Sequence, residues 1–334
     1  MSEPCRDPVR AAGTRRRPCA LLVGLLLGIV LISACANPRP VADRSAGIAV
    51  YVLGRAQDGG LPHLGCEREA CCAAARRSGR IETPACLGIH DEASGALWLI
   101  EATPAIEAQV ARLHSLTGTS ARGRRPIDGV LVTHAHLGHY LGLAWLGREV
   151  AATSALPLFV SERFAEYLRT NGPWRQLVEL GQVEPRPFAP GGRFTLRDGL
   201  EVEAIAVPHR DEFSDTVAFK LRGPTRTVLF CPDVDAWDRH DGLLERLLDD
   251  VDVAYLDATF YDGRELPERV RAEIPHPPMV DTMTRLAAFA ASHPGAIRFI
   301  HLNHTNPAWN DAALRVSIEA RGFSIAEPGE RVRL

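Results

Sequence analysis

Three histidines stand close together in the sequence, directly after the apolar run 130–132. They are His134, His136 and His139, and a strand ending in such a loop can aim all of them at one point. Neutral imidazole is a preferred ligand of zinc and iron, and three such ligands leave coordination positions open for water or substrate. Three imidazoles at this spacing favour a metal site over three unrelated packing residues.

The elements that must position these histidines are predicted from apolar periodicity. The chain is 46% hydrophobic, which is enough for a sizeable core. Short apolar runs bounded by Gly, Asp or Pro predict strands at 48–53, 96–100, 129–132, 202–207, 217–221, 227–230, 253–256 and 297–300. Apolar spacing of three and four predicts helices at 104–116, 280–292 and 308–320. This order of elements favours an α/β or α+β layered domain.

The pattern His134-x-His136-x-x-His139 resembles the signature of the metallo-β-lactamase superfamily. The resemblance implies an αββα sandwich of two mixed β-sheets flanked by helices, with metal ions at the sandwich edge. It also implies later ligands, each just after a predicted strand. His209 matches the third metal-binding His of the family, Asp233 the bridging Asp, and His301 the last His.

One position departs from that family pattern. Gly138 stands where the superfamily normally has an Asp that binds the second metal and handles the proton of the bound water. The second site then keeps His139, His301 and Asp233, and it is either weaker, occupied by another metal or completed from elsewhere. The substitutes that we consider are Asp58, Asp211 and His304. Both one and two metal ions stay open at this point.

A second resemblance is to the pyrroloquinoline quinone (PQQ) biosynthesis protein B family. It rests on residues 53–62 with Ala56-Gln57-Asp58-Gly59-Gly60, and on the late segment His301-Leu302-Asn303-His304-Thr305-Asn306-Pro307. It also rests on three nearby cysteines, Cys66, Cys71 and Cys72. The wider spacing of these cysteines differs from that of the structural zinc site in the family. A disulfide between Cys66 and one of the adjacent pair, and a structural zinc site held by these cysteines, are both open interpretations.

The N-terminus predicts export. Basic residues 15–17 precede the apolar run 20–32, which is the architecture of a secretory signal, and Ile32-Ser33-Ala34-Cys35 resembles the lipobox of bacterial lipoproteins. We predict a signal peptide at 1–34, an acylated Cys35 with a tether to residue 46, and a metallo-β-lactamase-fold domain at 47–334. The domain is expected to face the periplasm or exterior, held to the cell membrane or outer membrane by its lipid. An ordinary signal peptide is the alternative.

Charge argues against nucleic acid as a partner. Lys220 is the only lysine, and the whole chain carries a formal charge of −3. Removal of 1–34, which holds five Arg against Glu3 and Asp7, makes the mature chain still more acidic. The expected partners are a small-molecule substrate and, through Cys35, a membrane.

The function predicted from these residues is metal-dependent hydrolysis of an ester, lactone, amide or phosphodiester, with one or two zinc ions. Asp233 would orient the attacking water, and Asp58 or Asp211 would take its proton. An iron-dependent oxidative enzyme related to PQQ biosynthesis is one alternative. A non-catalytic metal- or ligand-binding lipoprotein is the other.

Overall fold

Strand β1 (Ile48–Gly54) is buried on both faces, so the sheet that contains it is an inner layer. Successive side chains of a strand point to opposite faces. Ile48, Val50 and Val52 accordingly pack in one core and Ala49, Tyr51 and Leu53 in another. The computed structural model describes residues 47–67, 69–240, 242–267 and 274–334. The predicted signal peptide, Cys35 and the tether lie outside the described residues.

The remaining strands complete two seven-stranded sheets. They are β2 (Cys86–Asp91), β3 (Ala96–Ile100), β4 (Gly129–Leu131), β5 (Leu156–Ser161), β6 (Val183–Phe188), β7 (Arg193–Arg197), β8 (Leu200–Ala206), β9 (Val217–Arg222), β10 (Thr227–Cys231), β11 (Val253–Asp257), β12 (Ile297–Ile300), β13 (Ser324–Ile325) and β14 (Arg331–Arg333). The first sheet has the order β14-β1-β2-β3-β4-β5-β6 and the second β13-β12-β11-β10-β9-β8-β7. Both sheets mix parallel and antiparallel pairs.

The described helices connect these strands and cover the sheets. They are α1 (Ala70–Ser78), α2 (Ile106–Thr117), α3 (Leu137–Tyr140), α4 (Glu162–Thr170), α5 (Trp174–Glu179), α6 (Leu243–Leu248), α7 (Met279–Arg285), α8 (Ala287–Ser292) and α9 (Ala312–Ala320). Short 3₁₀ segments lie at Leu141–Leu146, Trp237–Arg239 and Pro307–Trp309. Among the described residues, none of the helices has the length and apolar character that a membrane span requires.

Three hydrophobic cores define the layers. The central core joins the facing sides of the two sheets, for example Leu87 and Ile100 with Phe219 and Tyr255. A second core packs α2, α4 and α5 on the outer side of the first sheet. A third packs α1 and α6 to α9 on the outer side of the second sheet. The predicted αββα sandwich of two mixed sheets is confirmed.

The eight predicted strands are all present, with ends shifted by at most two residues. The helix predicted at 280–292 is wrong in one respect, because it is divided at Leu286 into α7 and α8. The helix predicted at 308–320 begins at Ala312, where the Asp311 side chain accepts from the Leu314 amide, after the 3₁₀ turn at Pro307–Trp309. Strand β6 was not predicted from the sequence, because it contains Pro185 and Pro187. Prolines are tolerated there because β6 is an edge strand.

Candidate metal centre

The predicted metal ligands lie at the ends of strands. His134 and His136 follow β4, and His139 lies on the single turn α3 that comes next. His209 follows β8, Asp233 follows β10 and His301 follows β12. His301 has φ +67, in the left-handed region, which costs about 1–3 kcal/mol for a residue other than glycine and is typical of functional sites. The structure brings all six side chains to one edge of the sandwich.

A first group of four side chains converges at this edge: His134, His136, His209 and Asp233. Nδ1 of His136 lies 2.9 Å from Nε2 of His134 and 3.2 Å from Nε2 of His209. Oδ2 of Asp233 lies 3.4 Å from Nε2 of His134 and 3.2 Å from Nε2 of His209. Three nitrogens and one carboxylate oxygen are a ligand set that suits zinc or iron.

A second group lies beside the first and consists of Asp58, His139 and His301. Oδ1 of Asp58 is 3.2 Å from Nε2 of His139 and 3.3 Å from Nε2 of His301. Oδ2 of Asp233 is 3.7 Å from Nε2 of His139, so this carboxylate reaches both groups.

The other two substitutes considered for the missing carboxylate lie elsewhere. Oδ1 of Asp211 accepts a hydrogen bond from the Thr216 hydroxyl at 2.8 Å, and Asp211 belongs to none of the metal-binding groups found among the described residues. His304 belongs to a separate group with two cysteines.

Two threonines fix the tautomers of His134 and His301, so that the nitrogen facing the centre is free to bind a metal. The Thr133 hydroxyl donates to Oε1 of Glu101 at 2.6 Å and therefore accepts from Nδ1 of His134 at 2.9 Å. The Thr259 hydroxyl donates to Asp257 and in the same way accepts from Nδ1 of His301 at 3.0 Å. With the proton on Nδ1, the Nε2 lone pair of each ring points into the centre. Partners of this kind orient metal ligands and raise their basicity.

Carboxylates hold the other three imidazoles. Nδ1 of His209 lies 3.0 Å from Oδ1 of Asp235, and Nε2 of His136 lies 3.0 Å from Oε2 of Glu212. Nδ1 of His139 lies 3.4 Å from Oε1 of Glu101. His134, His136, His209 and His301 each present one nitrogen to the centre and have a hydrogen-bond acceptor for the other, whereas Nδ1 of His139 faces Glu101 without a hydrogen bond.

Burial and charge set the pKa values of these groups. Burial lowers the pKa of His209, but Asp233 and Asp235 raise it by more, to about 10. Burial raises the pKa of Asp233, but His276, His134 and His209 hold it well below its usual value. Burial, together with the neighbouring His139, lowers the pKa of His134 well below its usual value, which keeps this ring neutral. A bound cation would take the place of the protons that these carboxylates attract.

Buried polar atoms without hydrogen-bond partners show whether a metal ion fits this centre. Both ring nitrogens of His139 and Oδ1 of Asp233 are buried and make no hydrogen bond with the described residues. Buried polar atoms without partners are costly, and each one calls for an explanation. A metal ion between the two groups would satisfy Nε2 of His139 and the Asp233 carboxylate, so the residues present fit such an ion.

Sequence reasoning missed several residues that support the centre. The buried His276 donates from Nδ1 to Oδ2 of Asp257 at 2.7 Å and lies 3.3 Å from Oδ1 of Asp233. Glu101 is fully buried with φ +80, and its signal in the sequence was a charged residue directly after the apolar strand β3. His276 had no comparable signal beyond its neighbouring prolines, Pro275 and Pro277.

The cysteines form a separate group away from the histidine cluster. Cys66, Cys72 and His304 offer ligand atoms within 4.8 Å of one another. The described cysteines are unbonded thiols in the structure, and burial with the neighbouring Cys66 raises the pKa of Cys72 to about 11. Nδ1 of His304 is buried without a hydrogen-bond partner among the described residues. Cys71 points elsewhere, with its Sγ 3.6 Å from the Asn306 carbonyl oxygen.

Comparisons of sequence agree with this architecture. Residues 98–330 match the family model described as "Beta-lactamase superfamily domain". The chain is 29% identical over 308 residues to coenzyme PQQ synthesis protein B of Ruegeria pomeroyi, covering 85% of this chain and 99% of that protein. It is 25% identical over 311 residues to the protein of that name from Rhizobium meliloti, covering 87% and 100%. Both resemblances predicted from motifs are confirmed.

Solved structures share the fold. The Zn(2+)-bound PqqB from Methylobacterium extorquens is 22% identical with a TM-score of 0.70, covering 86% of this chain and 100% of that one. A diphosphatase from the PhnP family is 19% identical with a TM-score of 0.61, covering 86% and 97%. At these identities the likeness establishes the fold.

Proposed function

The chain belongs to the β-lactamase superfamily, and from this premise we propose that it is a metal-dependent hydrolase with a two-metal centre. The observation that carries the proposal is the convergence of two ligand groups on one carboxylate, Asp233. The partners that orient four of the five imidazoles support it, because partners of this kind hold metal-ligating rings with one nitrogen facing the ion.

Asp233 and Asp58 have separate roles in the proposed hydrolysis. Bound zinc would lower the pKa of a coordinated water from about 15.7 to about 7 and polarise the attacked oxygen. Asp233 lies between the groups, where it would orient the attacking water, and Nδ1 of His276 lies 3.3 Å from its Oδ1. The Asp58 side chain is 38% exposed against 4% for Asp233, so it lies at the mouth of the centre. Its Oδ1 faces two imidazoles, and we assign Oδ2 to accept the proton of the water.

The proposed substrate is a small molecule with an ester, lactone, amide or phosphodiester bond. The test is a panel with one chromogenic representative of each class, assayed on protein reconstituted with zinc, before and after chelation. We expect hydrolysis of at least one class, lost on chelation and in His136→Ala, and kept in His293→Ala, an exposed histidine on the second sheet's side. Metal-loaded protein that is inert on every class would overturn the proposal.

The second candidate is an iron-dependent oxidative enzyme related to PQQ biosynthesis. The observation that favours it is the match to coenzyme PQQ synthesis protein B over 99% and 100% of two relatives. A centre rich in imidazole suits iron as well as zinc. Iron in protein purified without chelator, together with oxygen uptake in the presence of a reductant and the absence of hydrolysis, would favour this candidate over the first.

We also propose export and lipid attachment at Cys35, on the strength of the basic residues 15–17, the apolar run 20–32 and the lipobox-like residues before Cys35. Metabolic labelling with a fatty-acid analogue tests this. Label is expected in the wild-type protein and absent in Cys35→Ala. Unlabelled wild-type protein in the soluble fraction would contradict it.

For the cysteine group we propose a structural zinc ion held by Cys66, Cys72 and His304. The support is the unpartnered Nδ1 of His304 beside two thiols in one cluster. Thiolates and imidazole are the ligands of structural zinc, whose binding contributes directly to folding.

A further inference from the structure

We propose that Asp58 supplies the carboxylate of the second metal site in place of residue 138, and that Asp58 and Gly138 form a complementary pair in which only one position can carry a side chain. The ligand of this site is a divalent transition-metal cation. The inference deepens the proposed function and rests on it for the presence of two metals in the centre.

The space beside Gly138 carries the argument. A Cβ built on Gly138 would lie well under 3.0 Å from three atoms of Asp58, namely Oδ1, Cγ and Cβ. Real Cβ atoms essentially never approach so closely, and the conflict involves the root of the Asp58 side chain as well as its tip. Any side chain at 138 must therefore displace Asp58. Glycine at 138 is required by this close approach, since no positive φ is recorded for it.

Asp58 occupies the position of a metal ligand. Its Oδ1 lies within 3.3 Å of Nε2 of both His139 and His301, and these three atoms form one of the metal-binding groups. Nε2 of His139 makes no hydrogen bond and is buried, so a cation is the partner that it lacks beside Asp58.

Hydrogen bonds of the residues around Asp58 hold it in this position. The Gln57 amide donates to the Leu302 carbonyl oxygen at 2.8 Å, next to His301, and Ala56 pairs with Leu302 in a parallel bridge. The Gly60 amide closes the turn on the Gln57 carbonyl oxygen at 2.7 Å. The Asn303 side chain also donates to Gln57. The loop that carries Asp58 is thus fixed to the loop that carries His301.

The competing interpretation is that Asp58 is a turn residue that forms ion pairs with two histidines. The two interpretations differ in what removal of the charge does to metal content. A turn residue replaced by asparagine leaves the stoichiometry unchanged, whereas a lost ligand removes or weakens one ion.

The experiment is equilibrium dialysis of the full chain against zinc, with metal per chain measured by mass spectrometry and folding checked by circular dichroism. The variants are Asp58→Asn, Gly138→Asp and the double variant Asp58→Gly plus Gly138→Asp. Asp198→Asn, in the exposed turn between β7 and β8, is the matched control. We expect Asp58→Asn to lose one ion per chain, or to bind it at least tenfold more weakly, and Asp198→Asn to match the wild type.

The double variant, which moves the carboxylate from position 58 to position 138, makes the test specific. Gly138→Asp alone is expected to bind the second ion more weakly than the double variant does, because the carboxyl side chains at 58 and 138 compete for one space. Retention of the full metal content in Asp58→Asn overturns the inference, and so does a double variant that folds yet binds no more zinc than Asp58→Asn. If Asp58→Asn loses an ion but the wild type hydrolyses nothing, the inference stands and the proposed function fails. If Asp58→Asn keeps both ions and hydrolysis, the reverse holds.

Discussion

Nδ1 of His209 lies 3.0 Å from Oδ1 of Asp235, on the side of the ring opposite to the metal-binding group. The contact fixes the ring, so that Nε2 faces Asp233 at 3.2 Å. The same arrangement recurs at His134, His136 and His301 with a different acceptor for each ring. The orientation of the ligands is therefore built into the protein before any metal binds.

Loss of that contact should weaken metal binding. Asp235→Ala leaves the His209 ring without its acceptor, and removal of such a partner typically costs 10–100-fold in metal affinity. Competition with a chelating dye measures the affinity for zinc. Asp238→Ala, an exposed neighbour on the same loop, is the control and should bind as the wild type does. Equal affinities for all three proteins would show that Asp235 does not orient His209.

The metal-free protein should lose stability as pH rises from about 6.5 to about 10. The pKa of His209 is raised to about 10 by Asp233 and Asp235, against about 6.5 in an unfolded chain. A group whose pKa is raised on folding stabilises the protein fully below its unfolded value, and that contribution vanishes as pH passes its folded value. The free energy of unfolding in urea, measured across this window, should fall more in the wild type than in His209→Gln.

The same protonation predicts how zinc binding responds to pH. Zinc must displace the proton of His209, so its apparent affinity should rise between pH 6.5 and 9 and protons should be released on binding. Calorimetry in buffers of different ionisation enthalpy counts these protons. Binding without proton release at pH 7 would mean that His209 is not a ligand.

The cysteine group should bind one ion independently of the histidine centre. Cys66→Ser plus Cys72→Ser is expected to lose one zinc per chain and to melt at a lower temperature, with the hydrolytic centre still loaded. Cys71→Ser changes the adjacent thiol, which lies outside the group, and should keep the full metal content. A disulfide between Cys66 and Cys72 in the exported protein, detected as a mass lower by two hydrogens, would contradict the zinc proposal.

Local patterns in the sequence were enough to predict a layered α/β or α+β domain and the strand-end position of His134, His136 and His139. The αββα order of the layers came from the resemblance to the metallo-β-lactamase superfamily. Short apolar runs flanked by breakers specify a strand wherever it lies in the sheet, and the ligands follow directly on such runs. The absence of a carboxylate at position 138 was also predicted, because Gly138 departs from the superfamily pattern. The choice among Asp58, Asp211 and His304 was not, because it depends on the approach of the loop after β1 to the loop after β12.

The supporting residues were missed for a related reason. Glu101 and Thr259 each follow a strand and Asp257 ends one, but the imidazoles of His139, His301 and His276 that they contact come from distant parts of the chain. Only the order of strands in the folded sheets brings them together. The division of the predicted helix at Leu286 could not be predicted either, because no Gly or Pro lies within 280–292.

The most direct test of the centre is the metal content of the purified protein, prepared without chelator, in the wild type and in His134→Ala. The Nε2 atom of His134 lies 2.9 Å from Nδ1 of His136 and 3.4 Å from Oδ2 of Asp233, at the middle of the first group. We predict that the wild type holds zinc or iron and that His134→Ala loses at least one ion per chain together with its activity. Full metal content in His134→Ala would contradict the assignment of this centre.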